Sequence, residues 1–164
     1  MSLADYKAAR ELVARHADLA DFVGERPDEL VAQAEEALGS RFPPSYRSFV
    51  GELGAGDIAG EEFYGVIDDD FDNSSVPDAV WLTLQQREDS GLPPNLIIVY
   101  GDAEGAYYAL DTSRTYGSGE HPVVLWTPGA SEPGDELEAV AGDFGELFRT
   151  RIEAGLSRRG MASF

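Results

Sequence analysis

The stretch LPPNLIIVYGDAEGAYYALD, residues 92–111, decides the fold class. Asn95 to Tyr100 and Ala106 to Leu110 are short runs rich in β-branched and aromatic residues, bounded by turn formers. Gly101-Asp102-Ala103-Glu104-Gly105 between them is a hairpin-length connection with glycine at both ends, so the two runs are predicted to be antiparallel neighbours. Strand alternation sends Tyr107 and Tyr108 to opposite faces, and whichever ring is exposed becomes an interface candidate. Working outward, Phe63 to Ile67 and Val123 to Trp126 have the same character and extend the series of strands. Val80 to Arg87 (VWLTLQQR) reads as strand or helix; its length and two glutamines favour a short helix.

Helical periodicity flanks this strand-rich centre. Leu3, Tyr6, Ala9, Val13 and His16 recur at three- and four-residue spacing after a capping-box-like Ser2 and Asp5. A second helix starts near Pro27, runs through Leu30, Ala34 and Leu38, and stops at Gly39. Tyr46, Phe49, Val50 and Leu53 make a third, ended by Gly54 and Gly56. Near the C-terminus Asp143 and Glu146 cap a helix with Phe144, Leu147, Phe148, Ile152 and Leu156 on one face. Ser157 to Phe164 is expected to fray. Helices, then sequential strands, then a helix argue for an α+β domain with a mostly antiparallel (mixed) sheet of about four to six strands, packed against N-terminal and C-terminal helices. No repeat or linker divides residues 1–164, which read as one domain.

Composition narrows the function. The 164 residues are 43% apolar and contain no cysteine, which removes disulfides, thiolate zinc sites, iron–sulfur clusters and cysteine nucleophiles. No run of 18 apolar residues and no uncharged leader is present, so neither a membrane span nor a secretory signal is expected, and cytoplasmic residence is the default reading. Thirty-one acids against twelve bases give a formal charge of −19, which argues against nucleic acid as a partner. The charge is uneven: residues 51–111 hold fourteen acids and one base, Arg87. Such a segment is either a solvated face or a surface that steers a basic partner.

Catalytic constellations are weak. Asp68, Asp70 and Asp72 fall at positions 1, 3 and 5 of a calcium loop, but Asn73 and Ala79 stand where glycine and a bidentate glutamate are required, so no metal site is expected. Gly51 to Asp57 is glycine-rich but follows a helix and carries acids, which suits a helix end and not a phosphate cradle. His16 continues an apolar stripe, and His121 precedes Pro122 in a turn. Neither adjoins a nucleophile; Ser118 lacks the strand-to-helix elbow of a hydrolase.

Leu30-Val31-Ala32-Gln33-Ala34-Glu35-Glu36-Ala37-Leu38-Gly39, followed by Phe42-Pro43-Pro44-Ser45-Tyr46-Arg47-Ser48-Phe49-Val50, resembles the signature of the SUKH superfamily, the Smi/Knr-like group of bacterial immunity proteins and fungal cell-wall regulators. Leu92 to Asp102, Gly105 to Asp111, Pro122 to Trp126 and Asp143 to Phe148 are similar to its strands and closing helix. The resemblance spans about residues 27–150 and leaves 1–26 as an N-terminal helical extension; Gly54-Ala55-Gly56 replaces an Asn-Gly that the family often has. It implies an α+β fold, no enzymatic activity, no cofactor, and a protein partner: a cognate toxin, basic and often a nuclease, neutralised by binding. The alternative it leaves open is a regulatory or scaffolding module with an endogenous partner. The contact residues expected from charge are Glu61, Glu62, Asp68, Asp69, Asp70, Asp72, Asp102 and Glu104, with Trp81 as an anchor.

Overall fold

The computed structural model describes residues 2–160. Its elements run α1 (Ser2–Arg15), a 3-10 turn (Ala17–Leu19), β1 (Ala20–Phe22), α2 (Asp28–Leu38), α3 (Pro44–Leu53), β2 (Gly56–Ile58), β3 (Glu61–Phe63), α4 (Ala79–Asp89), β4 (Leu96–Gly101), β5 (Tyr107–Asp111), β6 (Val123–Trp126), β7 (Ala139–Ala141) and α5 (Phe144–Arg158). The fold is α+β, with one sheet whose seven strands lie side by side in sequence order, each antiparallel to the next. The count exceeds the expected four to six because β1, β2 and β7 have three residues each, too few for alternation to show in a sequence.

Helix ends follow the local chemistry. Gly39 closes α2 in the left-handed conformation, φ 79°, where glycine carries no Cβ penalty. Asp143 caps α5 by accepting from the Glu146 N–H at 2.9 Å, and Glu146 accepts from the Gly142 N–H at 2.9 Å in return. The VWLTLQQR segment is helical, inside α4, where buried Asp78 accepts from the Val80 and Trp81 N–H groups at 2.9 and 3.1 Å. Helix α5 runs through Ser157 to Arg158, so the expected fraying there is absent; residues 161–164 lie outside the described part. His16 falls one residue past α1 instead of within it.

The strand expected at Phe63 to Ile67 is displaced to Glu61–Phe63. Beyond Tyr64 the chain leaves the sheet: the Gly65 N–H donates to the Pro77 carbonyl and the Val66 N–H to the Gly54 carbonyl, so these groups are satisfied by loops. Gly65 touches the end of α3 so closely that a Cβ there would overlap the Gly54 carbonyl.

The sheet has two differently covered faces. On the first, α1, α2, α3 and α5 bury Phe49, Phe63, Phe144 and Phe148 as one ring cluster, with Phe63 and Phe148 edge-on at 4.7 Å and Phe49 and Phe144 at 5.1 Å. On the second, Tyr64, Leu82, Leu96, Ile98, Ala109, Val124 and Trp126 form a smaller cluster beneath α4. Strand β4 feeds both: Ile97 and Val99 face the first, Leu96 and Ile98 the second, and a bulge between Ile98 and Tyr100 turns Tyr100 toward the first face beside Val99. The Thr83 hydroxyl of α4 accepts from the Ile98 N–H at 3.0 Å, pinning the helix to the bulge. Tyr107 and Tyr108 divide between the faces as alternation requires.

Substituting Gly65→Ala is expected to destabilise the protein by about 2–4 kcal/mol in urea unfolding, because backbone must move to admit the methyl. Gly51→Ala, in open space within α3, should stabilise by about 0.5–1 kcal/mol through helix propensity.

Candidate functional site

The acids of β3 divide by face. Glu61 points to the first face and is 6% exposed. Its carboxylate accepts from the Tyr100 hydroxyl at 2.7 Å, Arg151 Nε at 3.0 Å and Arg158 Nη2 at 2.6 Å. The Arg151 guanidinium also stands 5.5 Å over the Tyr100 ring. Burial pushes the Glu61 carboxyl up, but the hydrogen bonds from Tyr100, Arg151 and Arg158 outweigh it and hold it below the usual carboxylate range. This corrects the expectation that Glu61 meets a partner: both oxygens are occupied in clamping α5 to the sheet. It also explains why α5 persists to Arg158.

Glu62 points the other way. The registers Asp21↔Asp57 and Asp57↔Glu62 put three carboxylates directly opposite one another across β1, β2 and β3, on the second face. Asp57 and Glu62 are half-buried and Asp21 is exposed. Among the described residues no side-chain hydrogen bond or ion pair engages these three acids. Burial and then the neighbouring Asp21 raise the Asp57 carboxyl, and burial and then Asp57 raise that of Glu62.

Asp68, Asp69, Asp70 and Asp72 lie in the exposed loop between β3 and α4. Part of the charge organises the loop itself: Asp68 accepts from the Asp70 N–H at 3.0 Å and Asp70 from Asn73 Nδ2 at 3.2 Å. Asp68 and Asp69 border a shallow groove against α2, in two adjoining concavities of about 410 and 510 Å³, whose apolar wall is Leu30, Ile67, Ala37 and Phe71. The nearby cation, Arg26, is turned onto the carbonyls of Val23, Glu25 and Ile67. Asp102 and Glu104 sit in the β4–β5 turn, where Asp102 Oδ1 accepts from the Glu104 and Ala106 N–H groups at 2.9 and 3.0 Å. Asp102 therefore shapes the hairpin as well as charging it. Trp81 is half-buried on α4 against the second-face cluster. The predicted residues thus fall on four elements: strand β3, whose two acids face opposite ways, the β3–α4 loop, the β4–β5 turn and helix α4.

The sequence reading did not find the partners of several buried polar residues. Glu120, 1% exposed, accepts from the Ser45 N–H and hydroxyl at 2.9 Å each and so caps the start of α3 from 75 residues away. Asp111 accepts from Asn95 at 2.8 Å, Ser113 at 2.6 Å and Arg114 at 2.9 Å. His121 is buried with Nδ1 2.8 Å from the Arg114 carbonyl. These are internal contacts; among the described residues no group of three or more histidines and acids is placed to hold a metal ion.

Comparison with known proteins agrees with this architecture. The model of a family described as SUKH_5, SMI1-KNR4 cell-wall, matches residues 5–153, beginning inside α1. A crystal structure of a protein from Pseudomonas syringae pv. tomato is similar in fold, with a TM-score of 0.59 at 17% sequence identity over 85% of this chain and 95% of that one.

The carboxylates of β3 give opposite pH dependences. Glu61, held low, supports the fold above its unfolded value and loses that support as pH falls through its folded value; Asp57 and Glu62, held high, weaken the fold as pH rises through their raised values. Glu61→Gln should therefore destabilise by about 1–3 kcal/mol at neutral pH, an effect that shrinks in acid. Asp57→Asn should stabilise by about 0.2–1 kcal/mol at neutral pH and lose that gain in acid. Urea titrations across pH check both signs.

Proposed function

The chain belongs to the SMI1-KNR4 family, and on that premise we propose that it is a non-catalytic, cytoplasmic immunity protein that binds and neutralises a cognate basic toxin, a nuclease being the kind its charge fits. The observation carrying this reading is the exposed run Asp68, Asp69, Asp70 and Asp72 beside the α2 groove, where carboxylates border apolar wall and Arg26, which also lines the groove, donates to the Ile67 carbonyl. Physically, the loop presents carboxylates where a nuclease receives phosphates. Long-range attraction speeds encounter, and apolar groove residues set residence time. Several arginines are already committed elsewhere: Arg10 to Glu52, Arg47 to Glu35, Arg114 to Asp111, Arg149 to Asp5, and Arg151 and Arg158 to Glu61. Against the loop's four carboxylates the groove itself sets one cation, Arg26. A site of about 800 Å² would be sufficient for a specific complex.

The test is calorimetric and kinetic titration against the toxin domain encoded beside this chain's gene, with toxin activity assayed in parallel, at about 50 and 500 mM salt. Tight one-to-one binding that abolishes toxicity is expected. The variant Asp68→Asn/Asp69→Asn/Asp70→Asn/Asp72→Asn should fold normally and associate about tenfold more slowly at low salt. Absence of binding would overturn immunity in favour of a scaffolding role, and unchanged association kinetics would overturn the loop as the steering surface.

A further inference from the structure

Helix α2 carries two seams at the same spacing. Val31, Ala34 and Leu38 are buried in the core, and one residue before each of them Leu30, Gln33 and Ala37 line the groove against the β3–α4 loop. Glu29 and Glu36, seven residues apart, border this second seam as flanking charges border the apolar seam of a coiled coil. The two concavities share Gln33 and Asp69 and so form one trough alongside α2. From Glu29 to Ala37 it is about 12 Å long, two turns of helix.

The opposite wall comes from the loop. Ile67 and Phe71 are half-buried there, and Phe71 also packs against the core that holds the first seam, so its ring is fixed from behind. Asp68 and Asp69 stand on the rim. Among the described residues no ion pair engages Glu29, Glu36, Asp68 or Asp69. Arg26, the base that lines the trough, is held at its Pro27 end by donating to the carbonyls of Val23, Glu25 and Ile67. The trough thus has an apolar floor, a straight helical wall, and carboxylates on both banks. An apolar guest without charge would leave those carboxylates facing it unpaired, and an acidic one would be repelled. An extended basic segment would set about four residues along the same length, only two of them toward the floor.

We infer that this trough is the docking site for a basic amphipathic helix of the partner. The guest lies along α2 with apolar side chains at i, i+3 or i+4, and i+7 on Leu30, Ala37, Ile67 and Phe71, and with lysines or arginines on both flanks against the carboxylates of the two banks. The site rests on the proposed function for a partner that is a basic protein; it adds the shape that partner presents and makes α2, not the loop alone, half of the interface.

The experiment is a titration of the full chain with two peptide amides of about 15 residues and identical composition, leucine, alanine and arginine, by calorimetry and amide NMR at about 50 and 500 mM salt. In one peptide the leucines share a helical face; in the other they fall on every face. The first is expected to bind about tenfold more tightly at both salts, to gain helical circular dichroism on binding, and to shift the amides of Leu30, Gln33, Ala37, Ile67 and Phe71 most. Ala37→Arg obstructs the trough and opposes its charge and should weaken the first peptide about tenfold. Ala32→Arg adds the same charge at an exposed position of α2 outside the trough and should weaken it less than about threefold. Both variants should melt as the parent does. Equal affinity for the two peptides, equal losses from the two variants, or shifts centred elsewhere would overturn the inference. A toxin neutralised with unchanged affinity by the Ala37→Arg chain would overturn this site and leave the proposed function standing. The helical peptide seated in the trough of a chain that neutralises no toxin would uphold the site and remove that function.

Discussion

Glu61 and Glu62 are adjacent in sequence and are held on opposite faces of the sheet by the pleat of a three-residue strand. On one side the carboxylate takes hydrogen bonds from Tyr100, Arg151 and Arg158 and ties the last turns of α5 to the sheet. On the other it stands in register with Asp57 and Asp21 and takes no cation. The first arrangement consumes charge to make the fold, and the second leaves charge unpaired. A one-residue shift of β3 would exchange the two, burying an unpaired acid under α5 and exposing Phe63.

The ring cluster sets that register. Phe63 meets Phe148, Phe144 and Phe49, so β3 is fixed by rings from α3 and α5 before any ion pair is considered. Gly155 brings α5 against Ala59 in the β2–β3 turn: a Cβ there would come within 2.9 Å of the Ala59 carbonyl and 3.1 Å of the Glu61 side chain. Close approach puts Arg151 and Arg158 within reach of Glu61. The same packing leaves nothing from α5 for the opposite face, whose cluster beneath α4 draws on β4, β5 and β6. An uneven sheet cover and an unpaired acid row thus have a common origin in where the helices found apolar surface.

Much of this was legible in the sequence. The hairpin around Gly101 to Gly105, the helices ending at Gly39 and Gly54, and the Asp143 cap rest on local turn and capping chemistry, which nearby residues determine. The family resemblance was carried by the same local signals in fixed order. The three-residue strands were not legible, since two alternations cannot be separated from loop. Nor were the partners of buried polar groups: Glu120 caps α3 across 75 residues, and Glu61 meets arginines 90 and 97 residues away. Charge counting recognised an acidic segment but could not distinguish Glu61, which is paired, from Glu62, which is not. It also missed Asp21 and Asp57, because cross-strand register has no signature in a single strand.

The most direct measurement is a carboxyl-carbon NMR titration of Asp57, Glu61 and Glu62 in the free protein. Glu61 should titrate below the ordinary carboxylate range, because burial there is outweighed by three donors, while Asp57 and Glu62 should titrate above it. If all three titrate together, or Glu61 takes up its proton at a higher pH than Glu62, then β3 does not divide paired from unpaired charge, and the account of Glu61 as the clamp between α5 and the sheet is wrong.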